Sequence, residues 1–146
     1  MTEVVFHFNV PDRRIYACRY ARKSLRNGAG LAITGSEADL QWLERTLWEM
    51  APTDFVAHCL DDAPPDVVRA SPIVLVRDPS AWGERGQLLN LGQQIPDGFT
   101  QYERLVEVVS QGDAEDRTGA RQRWRQYQEQ GHTITTYDVA PRRDPA

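Results

Sequence analysis

Residues 4–34 read VVFHFNVPDRRIYACRYARKSLRNGAGLAIT, and this stretch decides the fold. Val4 to Val10 is β-branched and aromatic and is ended by Pro11-Asp12, the pattern of a strand. From Asp12 to Asn27 the apolar positions Ile15, Cys18, Ala21 and Leu25 recur at helical spacing. Asp12 is placed to N-cap this helix, and Gly28 to end it. Leu31 to Thr34 then forms a short apolar strand between glycines. Strand, helix, strand at this spacing specifies a parallel pair joined by a right-handed crossover.

The same alternation continues. Ser36-Glu37-Ala38-Asp39 opens a second helix, in which Leu40, Leu43, Leu47 and Met50 make an apolar stripe that stops before Pro52. Phe55–Leu60, Ile73–Val76, Leu88–Leu91 and Leu105–Val109 read as strands, and Asp61–Asp66 as an acidic, proline-containing loop. Asp113–Gln130 reads as a long polar helix ended by Gly131, and Thr133–Val139 as a last β-rich segment. The expected architecture is α/β: one Rossmann-like domain over residues 1–140, mostly parallel sheet flanked by helices, with a frayed tail at 141–146.

Composition bounds the function. A chain of 146 residues with 40% hydrophobic and 26% charged residues is an ordinary globular domain. Its formal charge of −4 argues against a dedicated nucleic-acid binder. No apolar run approaches the roughly 18 residues of a membrane span, and the opening residues resemble neither a signal nor a transit peptide. Cys18 and Cys59 supply no disulfide framework and no metal quartet, so a reducing cytoplasm is the expected location. The charge is uneven: residues 1–35 carry six basic and two acidic groups, and residues 36–70 carry two basic and eight acidic.

Gly28-Ala29-Gly30 invites comparison with a dinucleotide fingerprint, but those glycines follow the first helix instead of preceding it. The first β–α turn, Asn9 to Arg13, has no glycine and places an acid where phosphate would lie. No cofactor is expected. His58 and Cys59 are adjacent on a strand and point to opposite faces, so they cannot share a metal. Cys18 reads as a buried, inert thiol. No catalytic constellation emerges, and enzyme activity is not expected. Arg117, Arg121 and Arg125 are spaced by four and line one helix face, beside a stripe containing Ala120, Trp124 and Tyr127. They form either a solvated basic edge or a clamp for a carboxylate with an aromatic wall. Trp48 and Phe55 are either core or an interface anchor.

Leu47-Trp48 through Phe55-Val56-Ala57-His58, then Phe99 through Val109, then Ala120-Arg121-Gln122-Arg123-Trp124-Arg125-Gln126-Tyr127, together resemble the chi subunit of the bacterial DNA polymerase III holoenzyme, a clamp-loader accessory. Element order and length agree over the whole chain. The resemblance implies a non-enzymatic adaptor with a Rossmann-like fold and no bound nucleotide. It implies two partners: the acidic C-terminal tail of the single-stranded-DNA-binding protein, ending Asp-Asp-Ile-Pro-Phe, and the small psi subunit. DNA would be met only indirectly, and no membrane is involved. By position, Arg121 matches the arginine that holds the tail's terminal carboxylate. Arg117 and Arg125 match its basic rim, and Trp124 its aromatic wall, where the family pattern has tyrosine. Val109 or Ser110 is nearest to a pocket-lining valine, in a segment shorter here than in the pattern. Trp48 and Phe55 match the psi-facing aromatics. Two other readings remain open: a small Rossmann-like or flavodoxin-like enzyme, and direct binding of single-stranded DNA through Arg117, Arg121, Arg123 and Arg125.

Overall fold

A computed structural model describes residues 2–49, 58–82 and 86–140. The chain runs β1 (Glu3–Val10), α1 (Arg13–Arg26), β2 (Leu31–Thr34), α2 (Glu37–Glu49), β3 (His58–Leu60), α3 (Pro65–Ala70), β4 (Ile73–Leu75), β5 (Gln87–Asn90), β6 (Arg104–Ser110), α4 (Ala114–Glu129) and β7 (Thr133–Asp138). The strands form one parallel sheet in the order β3-β4-β2-β5-β6-β1-β7. Asp12 caps α1 by accepting the Ile15 amide, and Gly28 ends it in the left-handed region at φ +68°.

Alternation along the strands divides the core. Leu31 and Ile33 of β2, with Val106 and Val108 of β6, pack against Ala17, Cys18 and Ala21 of α1 and the Leu40, Leu43, Leu47 stripe of α2. Ala32, Leu105 and Val109 face the other way, toward Val68 of α3 and Ala120 and Tyr127 of α4. Both faces are therefore covered, as a parallel sheet requires. At Asn9 the backbone turns to φ +62° and the β1–β6 register slips. Asparagine tolerates that conformation. The slip returns Val10 to the α1 side, after Phe6 and Phe8 on the α4 side.

One difference from the sequence reading stands out. The loop expected at Asp61–Asp66 runs only to Pro64, where α3 begins with Pro65 in its first turn. That helix has six residues and a single buried side chain, Val68, too little for a periodic signal. The strand expected from Phe55 is seen as His58–Leu60; Met50 and residues 51–57, Phe55 among them, lie outside the described residues, as does the tail at 141–146.

Candidate functional site

The α4 helix begins at Asp113, whose carboxylate accepts the amides of Glu115 and Asp116 at 3.0 and 3.3 Å. Its underside carries a charge. Arg123, only 3% exposed, donates through Nε to Glu107 Oε2 at 3.2 Å and through a second nitrogen to the Gln93 carbonyl at 3.0 Å. Glu107 is fully buried on β6 and also accepts from Tyr127 Oη at 2.5 Å and from Asn90 Nδ2 at 3.1 Å. Burial pushes the Glu107 carboxyl above its ordinary range, against the pull of Arg123 and these hydrogen bonds. The same burial, with Glu107 beside it, pushes the Tyr127 hydroxyl up, so it remains a donor.

With α4 fixed in this way, its outer flank and the sheet enclose a groove of about 470 Å³. Phe6 and Phe8 of β1, Val109 of β6 and Thr136 of β7 line its sheet side. Ala120 and Trp124 supply the helix wall, and the Trp124 ring lies 4.9 Å from Phe6, centroid to centroid. Arg117, Arg121 and Arg125 complete the lining with Gln128. Arg117 is tethered, donating to the Gln111 carbonyl. Arg121 and Arg125 are exposed and have no acidic partner among the described residues. A slot of apolar rings beside unpaired guanidinium groups suits an anionic chain that carries a large apolar side chain.

The sequence-derived set Arg117, Arg121, Trp124, Arg125 and Val109 thus converges on one concavity. Ser110 does not line it; its hydroxyl accepts the amides of Gly112 and Asp113. Arg123, a DNA contact in the direct-binding reading, is buried against Glu107 and out of reach of any strand. Tyr127 lies beneath the groove, fully buried. Phe6, Phe8 and Thr136 were missed, because only the strand order shows that β1 and β7 flank this helix; Gln128 was missed although it lies on α4 itself, one turn beyond Trp124.

Trp48 lies elsewhere, at the end of α2 beside β3. It is 49% exposed, donates to Glu44 Oε1 at 3.0 Å, and sits 4.5 Å from the His58 ring. His58 in turn is held 3.0 Å from the Glu44 carbonyl.

At the carboxyl ends of β5 and β6, near the first β–α turn, Arg13 donates to the Leu91 and Val108 carbonyls at 2.6 and 3.1 Å. Gly28 serves the end of α1, as expected. Burial pushes the Cys18 thiol up to about 11, so it is protonated and unreactive at neutral pH. Among the described residues no His, Cys, Asp and Glu group is arranged to hold a metal, and no helix is long and apolar enough to cross a membrane.

Comparison with known proteins supplies the family. Residues 1–135 match the family model described as DNA polymerase III chi subunit, HolC. A DNA polymerase III subunit chi from Haemophilus influenzae is 30% identical over 130 residues, covering 84% of this chain and 85% of that protein. One from Pseudomonas aeruginosa is 29% identical over 126 residues, covering 85% of each.

Proposed function

This chain belongs to the DNA polymerase III chi subunit family, and on that premise we propose that it is a non-catalytic replication adaptor whose α4 groove takes the acidic C-terminal tail of the single-stranded-DNA-binding protein. The observation that carries the reading is Arg121, an exposed guanidinium without an acidic partner among the described residues, at an apolar slot lined by Phe6, Val109 and Trp124. Arg121 holds the tail's terminal carboxylate with a planar fork, and the terminal phenylalanine enters the slot. Arg117 and Arg125, one helical turn to either side, attract the preceding aspartates. The charge-assisted bond contributes roughly 1.5–3 kcal/mol and the buried phenylalanine a similar amount. Ordering a flexible tail costs a few kcal/mol, so affinity settles near micromolar.

The Trp48 surface, with Phe55 in the neighbouring segment, is the docking site for the psi subunit, which ties the adaptor to the clamp loader. An exposed tryptophan pinned by Glu44 and His58 is a preorganised anchor, and that supports the assignment. Titration calorimetry with a peptide of the tail's last ten residues tests the groove. Wild type should bind, and Arg121→Ala should lose at least about tenfold, or about 1.4 kcal/mol. Unchanged binding by Arg121→Ala would remove the reading.

A further inference from the structure

A second concavity lies on the opposite face of the sheet, between α1 and the β1–β7 edge, with a volume of about 580 Å³. Helical spacing places Tyr16 and Tyr20 one above the other on α1, with Arg19 and Lys23 on the adjoining stripe. The sheet brings His7 of β1 opposite Tyr137 of β7 in register, and their rings lie 5.2 Å apart. His7 also lies 5.6 Å from Tyr16 and 5.9 Å from Tyr20, so four rings form one continuous cluster. Tyr137, on the edge strand, is 58% exposed.

The charges here have one sign. Of the seven ionisable side chains at residues 12–30 other than tyrosine and cysteine, only Asp12 is acidic, and its carboxylate is spent capping α1. Arg13 and Arg14 are turned away, toward the Leu91 and Val108 carbonyls and toward Asp39. Arg19 and Lys23 line the concavity, exposed and without an acidic partner among the described residues. Arg104 adds a third cation, partly balanced by Glu3 at 3.3 Å. Exposed aromatic faces flanked by unpaired cations are the combination that holds unpaired bases and their phosphates.

We propose that this α1–β7 concavity is a low-affinity site for single-stranded nucleic acid, with a base stacked on Tyr137 and successive phosphates met by Arg19 and Lys23. The site is independent of the α4 groove and does not rest on the tail-binding reading. It gives a net-acidic protein a direct hold on DNA, which the overall charge of −4 conceals. A peptide of acidic residues alone would satisfy the cations but leave the exposed ring face unused, whereas a single strand offers a base beside every phosphate, which is why a nucleic acid is favoured.

The probe is a short fluorescein-labelled oligothymidylate, titrated at low salt and read by anisotropy. Wild type should bind. The double variant Arg19→Glu, Lys23→Glu should weaken binding at least about tenfold and make the salt dependence shallower, by about 0.7 in log–log slope for each phosphate no longer neutralised. Tyr137→Ala should weaken binding roughly threefold or more. The double variant should still bind the tail peptide like wild type. No anisotropy change with wild type would overturn the proposal. So would equal binding by the variants, or a loss that follows Arg121→Ala instead. Displacement by a polyglutamate peptide as efficient as by unlabelled oligothymidylate would overturn it too, and assign the site to acidic peptides. If a variant melts early by circular dichroism, amide shifts in wild type decide: changes at Tyr16, Tyr20 and Tyr137 are expected, and changes confined to α4 contradict the site.

Discussion

Arg117, Arg121 and Arg125 are alike in spacing, and the structure sets Arg117 apart. Arg117 is tethered to the Gln111 carbonyl, and Arg121 and Arg125 have no acidic partner among the described residues. Exposed charges contribute typically under about 1 kcal/mol each and are screened by salt. If Arg121 holds the terminal carboxylate as proposed, Arg117→Ala and Arg125→Ala should weaken tail-peptide binding less than Arg121→Ala, and mainly flatten its salt dependence. Arg121→Lys should restore binding only in part, since an ammonium keeps the charge and loses the fork. Calorimetry at two salt concentrations separates the three, and equal losses at all three positions would show a diffuse basic surface. His7 carries a different signature. Burial, with Arg104 and Lys23 nearby, lowers its pKa from 6.5 to about 4. The unfolded chain then binds the proton more readily than the folded one. Stability linked to His7 is complete above about pH 6.5 and is lost as pH falls toward 4. Between pH 7 and 5, wild type should lose more stability in urea than His7→Gln, by on the order of 1 kcal/mol, since His7 is partly solvated. Parallel curves for the two proteins would contradict the shift.

Among the elements, α4 is held by its underside. Arg123→Met leaves Glu107 buried without its cation and should cost about 3–5 kcal/mol in denaturant unfolding. Adding Glu107→Leu should bring the total well below the sum of the two single losses, because the pair is coupled. Additive losses would mean that the two side chains act separately. The α2 end is the contrasting case: Trp48 is half exposed, so Trp48→Ala should cost under about 1 kcal/mol of stability while weakening psi binding. A loss near 3–5 kcal/mol, as for a buried aromatic, would make Trp48 a core residue instead. The boundaries of α1, α2 and α4 were legible because caps and apolar stripes agree, as at Asp12, Asp113 and Leu40-Leu43-Leu47. The arginine ladder was legible because spacing by four aligns side chains on any helix. Phe6, Phe8 and Thr136 were not, since their neighbours are set by strand order, which no local pattern encodes. Glu107 and Arg123 were equally hidden: a lone acid in an apolar strand reads the same whether it meets solvent or a buried cation.

Across the whole molecule the surfaces proposed for the tail and for psi lie at opposite edges of the sheet. The tail groove uses β7 and β1 at one edge of the sheet, and Trp48 sits beside β3 at the other. Seven strands at roughly 4.8 Å spacing separate those edges by about 29 Å, so both partners fit together. Saturating psi should leave tail-peptide affinity within about twofold, and a larger change in either direction would show that the two surfaces are coupled. Tail binding, as proposed, turns on a single bond between Arg121 and a terminal carboxylate. The direct measurement is calorimetry on wild type with two peptides of the tail sequence, one ending in the free acid and one amidated. The amidated peptide should bind at least about tenfold more weakly, and Arg121→Ala should bind both alike. Equal affinity of wild type for the two peptides would contradict the carboxylate clamp.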